Sequence, residues 1–487
     1  MTETDSSGQA ACEPPLIVDL DGTLLLTDIL HESSLRLMRD QPLHVLALPF
    51  KLRAGKAPLK QFVTERVDLQ VETLPYNQEL LAWLREEKDS GRRLILCTAS
   101  SEKFARQIAE HLQLFDEVMA SDGQRNLGGR EKANALVERF GSGQFDYVAN
   151  ARADLAIWEQ ARNAIVVSEN AALLAAVSAG GQVVQRFAPA APRVSEWRSS
   201  LRLQQWLKNL LLFAPALAAH RVGEVSTLAT LLLAFFAFSL CASATYILND
   251  LLDLESDRLH PRKRSRPLAS GRIPVAGAAA AALGLLAVGL CLATLTSLPF
   301  LYCLCAYLLL TTTYSWRLKR VVLLDCIILS LLYTLRIVAG AAALQMGLSF
   351  WLLAFSVFLF LSLAFVKRYA EIEVQILEGR ESLHGRGYHA SDGPLVQTLG
   401  IAAGFSAALV FSLYLNSAEI LLLYAMPEIV WGAVVVLVYW ISWMWLQAHR
   451  GQMHDDPLVF AIKDPASLGA GALFLLVLFL GTVNWSW

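Results

Sequence analysis

Charge is what this sequence is short of. Only 17% of its 487 residues are Asp, Glu, Lys or Arg, against 55% hydrophobic ones, and the mean hydropathy is +0.43. Such a composition excludes a disordered chain, and few soluble proteins are so apolar. Neither sign of charge dominates. The 41 basic side chains face 43 acidic ones for a net charge of −2, which argues against a nucleic-acid coat or an acidic tail, and no nucleic-acid partner is expected. Metal-type cysteine spacings are missing as well. The seven cysteines include no CxxC pair: Cys12 and Cys97 fall in the charged half, and Cys241, Cys291, Cys303, Cys305 and Cys326 lie in apolar runs. They read as small packing residues in a reducing compartment. The first residues, MTETDSSGQA, are polar and acidic, so no secretory signal is expected and the amino-terminal half should stay in the cytoplasm.

What is present divides into two halves. Up to about residue 200 the charges are spread throughout, and strand-like runs (16–20, 93–99, 116–120, 145–150 and 163–168) alternate with helical patterns such as EKFARQIAEHL and REKANALVERF. That alternation predicts an α/β doubly wound parallel sheet over residues 15–180, behind a polar tail of residues 1–14. The stretch from Thr27 to Leu84 reads as a small helical cap between the first two strands. Residues 181–200, with the Pro- and Ala-rich RFAPAAPRVSEW, read as a linker.

From 201 to 487 uncharged runs dominate: 226–249, 273–316, 347–366, 393–417, 429–448 and 465–487. The 273–316 run is long enough for two crossings, broken at LTSLPF. A short run after Trp206 and one at 321–344 add two more. At ~20 residues per crossing this predicts an all-α membrane domain of about nine transmembrane helices. Basic loops at 249–272, 317–320, 367–390 and 449–464 alternate with nearly uncharged ones. The basic loops belong on the cytoplasmic side of the inner membrane with the amino-terminal domain, and an odd count places Trp487 outside.

The first strand runs into Asp19-Leu20-Asp21-Gly22-Thr23. Two carboxylates one residue apart at a strand's end suit phosphoryl transfer: one attacks phosphorus, the other protonates the leaving oxygen, and a divalent cation screens the charge. Alone, DLDGT is also an ordinary strand and turn. With Thr98, Lys132 and Asp154 following in order, it resembles the haloacid dehalogenase superfamily. That resemblance implies Asp19 as nucleophile, Asp21 as acid and base, and Thr98 as a phosphoryl-binding hydroxyl. It further implies Lys132 as the neutralising cation, with Mg²⁺ held by Asp19, Asn150 and Asp154. Asn150 stands where the family usually has an acid, which implies weaker metal binding or lost turnover.

A second cluster, Asn249-Asp250-Leu251-Leu252-Asp253-Leu254-Glu255-Ser256-Asp257, follows the first long apolar run. In a helix Asp250, Asp253 and Asp257 share one face, and like charges so close need a cation between them. Arg258, Arg262, Lys263, Arg264 and Arg266 come next, suited to phosphate oxygens. NDxxDxxxD followed by RPLASGRIP resembles the UbiA-type intramembrane prenyltransferases, which implies Mg²⁺ at Asn249, Asp250, Asp253 and Asp257. Asp325, a charge inside an apolar run, suggests function by its cost alone, and Arg336 lies on the same helix side about three turns on. Many relatives carry a second DxxxD here, whereas this chain has Leu329.

With LKNLLLFAP at 207–215, the 323–343 segment and FVKRYAEI at 365–372, the chain resembles the polyprenyl-phosphate phosphoribosyltransferase branch. The resemblance implies phosphoribosyl pyrophosphate and polyprenyl phosphate as substrates. Asp325 is then a candidate catalytic residue, and Lys263, Arg266, Arg336, Lys367 and Arg368 are candidate phosphate contacts, with Lys208 and Asn209 behind them. The expected enzyme transfers 5-phosphoribose to the lipid and then removes the 5-phosphate, giving a pentose donor for cell-envelope glycans. Two alternatives stay open: prenyl transfer from a prenyl diphosphate to an aromatic or other acceptor, and a soluble half that only regulates or binds.

Overall fold

The structure, a computed structural model, describes residues 13–122, 125–188, 192–377, 387–417, 424–453 and 456–483. Cys12 and Trp487 lie outside the described residues. The chain forms two compact units: the residues up to Leu201 together with Ile247–Ala281, and Arg202–Tyr246 together with the residues from Ala282.

In the first unit, strands β1 (Leu16–Val18), β2 (Leu94–Ser101), β3 (Glu117–Ser121), β4 (Asp146–Ala149), β5 (Asn163–Val167) and β6 (Val183–Phe187) form one sheet. Its order is β3-β2-β1-β4-β5-β6, and every pairing is parallel. Leu16 and Val18 join Leu80, Leu84, Phe104 and Ile108 on one face, while Ile17 joins Ala133, Leu136, Ile157 and Trp158 on the other. Both faces are covered by helices, so the strands are apolar at successive positions instead of alternating. Chain order reverses between β1 and β4, and open α/β sheets take ligands outside the carboxyl ends of strands at such a reversal.

The sheet continues past the expected boundary at residue 180. Val183–Phe187 pairs with β5, and Phe187 is buried with its ring 5.3 Å from that of Trp83. Val194–Leu201 is helical. Residues 181–200 are therefore an edge strand and a helix rather than a bare linker; Val183, Val184 and Phe187 carry more strand character than the neighbouring prolines suggest.

The cap is helical, as expected. Asp28 accepts hydrogen bonds from the backbone N–H groups of Leu30 and His31, starting the helix Ile29–Asp40. The helices Pro42–Val45, Leu48–Arg53 and Lys56–Thr64 follow. They close on the first through Leu37, Leu59, Val63 and Val67.

Eight helices among the described residues are long and apolar enough to cross a membrane. They are Val225–Leu252, Val275–Thr296, Leu298–Trp316, Leu324–Ala343, Phe350–Ile376, Ala390–Leu415, Pro427–His449 and Pro465–Thr482. The 273–316 run breaks near the expected place, where Ser297 accepts from the Phe300 N–H and donates to the Ala342 carbonyl. The count is eight rather than nine. The residues after Trp206 form a 3₁₀ stretch, Leu203–Phe213, and a short helix, Ala214–Ala218. The backbone at Leu212 lies so close to Gly340 that any Cβ at that glycine would strike its carbonyl.

Candidate active sites

The nucleophile motif leaves the carboxyl end of β1, where the Asp19 N–H bonds the Val148 carbonyl of β4 at 2.9 Å. The helix Arg130–Phe140 delivers Lys132, whose Nζ is 2.6 Å from Asp19 Oδ1. Lys132 also donates to Tyr147 OH at 3.1 Å, and Tyr147 donates to Asp154 at 3.0 Å. Thr23 Oγ1 reaches Asp19 at 3.4 Å and Asn150 Oδ1 at 3.3 Å. Gly22 has φ +73° and faces the Asn150 amide so closely that a Cβ would collide with it.

Asp21 stands apart from that cationic group. It accepts from the Ile29 N–H at 2.8 Å and from Ser100 Oγ at 2.6 Å, with Thr98 Oγ1 at 3.5 Å. Burial pushes its carboxyl up to about 7, and the charge of Asp28 adds to the shift. Asp154 rises to about 6, through burial and the charge of Asp19. Lys132 moves the other way from what burial alone would do: burial favours its neutral form, but the charge of Asp19, with Cys97 and Asp154 adding to it, outweighs burial and keeps it protonated. Two neighbouring carboxylates thus sit in opposite environments, the arrangement that divides nucleophile from acid.

Asp19, Asn150 and Asp154 offer oxygen donors of the kind a hard divalent cation takes, and the repulsion between Asp19 and Asp154 is what such a charge would relieve. The residues fit, with one charge fewer than three carboxylates would give. Among the described residues no three His, Cys, Asp or Glu groups converge as a metal cluster.

In the aspartate-rich segment, the helix Val225–Leu252 stops inside the motif and Leu254–Leu259 starts a new one after Asp253, which has φ −95° and ψ 7°. Asp250 and Asp257 are buried, and both accept from Arg266 Nη1, at 3.2 and 2.6 Å. Lys263 lies 3.6 Å from Asp257. Asp253 accepts from Asn249 Nδ2 at 3.1 Å. Arg266 thus supplies a cation between Asp250 and Asp257, while Asp253 faces Asn249. The same loop packs on the cap. Arg258 donates to both oxygens of Glu32, at 2.7 and 3.1 Å, and Arg36 pairs with Glu255. Gly271, at φ +75°, would place a Cβ 2.9 Å from side-chain carbons of Leu26 and Pro75.

In the second unit, Asp325 and Arg368 pair with each other, and neither side chain has any exposure. Tyr388 OH donates to Asp325 at 2.7 Å, and Arg368 also pairs with Glu371. The two expected site residues thus face each other, and a charge pair so enclosed ties the helices Leu324–Ala343 and Phe350–Ile376 together. Arg336 is engaged elsewhere, with Asn209 at 2.9 Å and Tyr307 OH at 3.2 Å. Lys208 and Lys367 converge on Asp456, at 2.7 and 3.4 Å. Tyr333 OH donates to the same carboxylate at 3.0 Å, and its ring centroid is 5.4 Å from Lys208 Nζ and 5.7 Å from Arg336 Cζ.

A model of the UbiA prenyltransferase family matches residues 210–483, more than half of the chain. The chain belongs to the UbiA prenyltransferase family. A second model, haloacid dehalogenase-like hydrolase, matches residues 16–157. Among relatives, the uncharacterized protein y4nM of Sinorhizobium fredii is 37% identical over 461 residues, 94% of this chain and 89% of that protein. The nodulation protein NoeC of Azorhizobium caulinodans is 38% identical over 283 residues, 58% of this chain and 90% of that one. The decaprenyl-phosphate phosphoribosyltransferase of Mycolicibacterium smegmatis is 32% identical over 280 residues, 56% of this chain and 87% of that enzyme. The last of these covers the UbiA part.

Several residues of the two domains escape the motifs. Tyr147 sits between Lys132 and Asp154 in a strand that reads only as apolar core, and Ser100 follows the expected hydroxyl Thr98 by two residues. In the UbiA domain Asp456 precedes Pro457 and accepts from the Leu458 N–H at 3.3 Å, an Asp-Pro helix start visible in sequence. Its partners Lys208 and Lys367 are far away in the chain, so nothing local announces them.

Proposed function

We propose that this UbiA-family protein is a bifunctional membrane enzyme. Its UbiA domain joins 5-phosphoribose to polyprenyl phosphate, and its haloacid dehalogenase-like domain removes the 5-phosphate. The lipid phosphate oxygen attacks the anomeric carbon of phosphoribosyl pyrophosphate while the bond to pyrophosphate breaks. Arg266, with Lys263 beside it, takes anionic oxygens of the donor next to Asp250 and Asp257, and Lys208, Lys367 and Arg336 form a second cationic group for phosphate. Asp325 and Arg368 keep the helix that carries Lys367 in place.

In the second step Asp19 attacks the 5-phosphorus and becomes an aspartyl phosphate. The proton of Asp21 goes to the departing sugar oxygen; the resulting Asp21 carboxylate then takes a proton from water, which attacks phosphorus and frees Asp19 and phosphate. Thr98 and Lys132 bind the phosphoryl oxygens. Mg²⁺, held by Asp19, Asn150 and Asp154 in one domain and by Asn249, Asp250, Asp253 and Asp257 in the other, would neutralise charge on the transferred and departing groups. The product leaves as a pentose donor for envelope glycans.

The protein resides in the cytoplasmic membrane with its amino-terminal domain inside.

One observation carries this reading: likeness across most of a phosphoribosyltransferase is joined, on one chain, to a strand-end carboxylate pair split into a lysine-bound nucleophile and a buried acid. The test uses the full chain in vesicles with Mg²⁺, a short polyprenyl phosphate, and donor labelled with ¹⁴C in the ribose and ³²P at the 5-phosphate. Carbon label in the lipid with phosphorus label released as free phosphate supports both steps. Both labels staying in the lipid overturns the second step, and no label in the lipid overturns the first and favours prenyl transfer.

A further inference from the structure

Among the described residues from 13 to 188, large apolar side chains are exposed at only five places, and four of them fall within one short stretch of the cap. Leu43, Leu46, Phe50 and Leu52 are 79%, 71%, 70% and 56% exposed. They are not needed to hold the cap together, because its own core is built from Leu37, Leu59, Val63 and Val67. The stretch is also charged in one sense only. Between residues 41 and 64 the sequence has Lys51, Arg53, Lys56 and Lys60 and no Asp or Glu, and Lys51 and Arg53 are exposed beside the leucines. Exposed Leu and Phe beside Lys and Arg, without acids, are what a helix lying in a lipid interface presents.

The neighbouring helix is bonded to a segment that adjoins an apolar helix in the chain. Ile29–Asp40 is held through Glu32 to Arg258, and through Arg36 and Arg39 to Glu255. The helix Leu254–Leu259, which carries both partners, begins just past the end of the apolar helix Val225–Leu252.

We propose that the cap helices Pro42–Val45 and Leu48–Arg53 lie on the anionic surface of the membrane that the chain's own apolar helices cross. Leu43, Leu46, Phe50 and Leu52 insert among the acyl chains, and Lys51 and Arg53 meet lipid phosphates. The occupant of the patch is the bilayer; a second copy of the chain is the competing outcome. The proposal concerns contact with lipid, so it is tested without an activity assay.

The experiment places a photoreactive benzoyl-phenylalanine at Leu46 or Phe50 in the full chain. The protein is reconstituted in vesicles of phosphatidylcholine alone or with about a third phosphatidylglycerol. Glu86, exposed on another helix of the same domain, is the aqueous control, and Leu409, 62% exposed in a membrane-crossing helix, is the lipid control. The expected result is phospholipid adducts at 46 and 50 roughly ten-fold above those at 86, increasing with phosphatidylglycerol. Exchanging Lys51 and Arg53 for Gln should remove the dependence on phosphatidylglycerol and leave the adducts in phosphatidylcholine. The proposal is overturned by adducts at 409 with none at 46 and 50, or by 46 and 50 crosslinking to another copy of the chain.

Discussion

Arg258 of the aspartate-rich loop donates two hydrogen bonds to Glu32 of the helical cap, and both side chains are buried. Glu32 also accepts from Thr27 Oγ1 at 2.8 Å, just before the helix whose Ile29 N–H bonds Asp21. Arg258 in turn adjoins Asp257 in sequence and donates to the Ala269 carbonyl. A continuous set of bonds therefore runs from the candidate acid of one chemistry to the candidate aspartates of the other.

Breaking that link leaves a buried guanidinium without its counter-charge, which costs about 3 kcal/mol or more. Glu32→Gln should speed amide exchange roughly a hundred-fold in both 29–40 and 254–271. The strands β2 and β4 should be unchanged. Hydrogen-exchange mass spectrometry on the full chain reads this directly. Loosening confined to the cap would mean that the loop is held by other contacts, with the Gly271 approach to Pro75 the first to examine.

Asp19 has Lys132 for a partner and Asp21 does not, so their removal should differ. Asp19→Asn deletes the nucleophile and should cut phosphate release by about a thousand-fold or more. Transfer of ribose to lipid should continue, leaving both labels in the lipid fraction. Tyr147→Phe removes only the hydroxyl between Lys132 and Asp154, and about a ten-fold loss is expected. Retained phosphate release in Asp19→Asn would point to a different nucleophile or a contaminating activity.

The amide at Asn150 leaves the proposed metal site one charge short. Asn150→Asp should therefore lower the Mg²⁺ concentration that half-saturates phosphate release, by about ten-fold. The added charge also faces Asp19 and Asp154, so stability without Mg²⁺ should fall slightly while the loaded protein gains. Titrating Mg²⁺ against both activities separates the domains, because the transferase requirement should stay where it was.

How much of this was legible in the sequence follows from how far apart the partners are. Asp19, Asp21, Thr98, Lys132 and Asp154 are recognisable because they follow one another in chain order, in or after the carboxyl-terminal part of a strand or in the first turn of a helix. The paired spans at 273–316 were legible because Ser297 and Pro299 mark a helix start. Asp325 was visible as a costly charge, but its partner was not: Arg368 sits on the next long helix, and the same-helix Arg336 turns to Asn209 instead. The 3₁₀ path of 203–213 was hidden as well, since it depends on close approach at Gly340. The edge strand at 183–187 was obscured by prolines that follow it.

Asp456 is the clearest case of a residue that only tertiary structure explains, and it gives a sharp test. Burial pushes its carboxyl toward the neutral form, yet Lys367 and Lys208 outweigh that and hold it well below the usual carboxylate range. Asp456→Asn should leave two lysines facing each other with no counter-charge, lowering unfolding stability in detergent by about 3–5 kcal/mol. Replacing Lys208 with Met in that background removes one of the stranded charges. The double variant should then be more stable than Asp456→Asn alone, a coupling of at least about 1 kcal/mol in a double-mutant cycle. Additive losses would mean that the three groups do not share one electrostatic site.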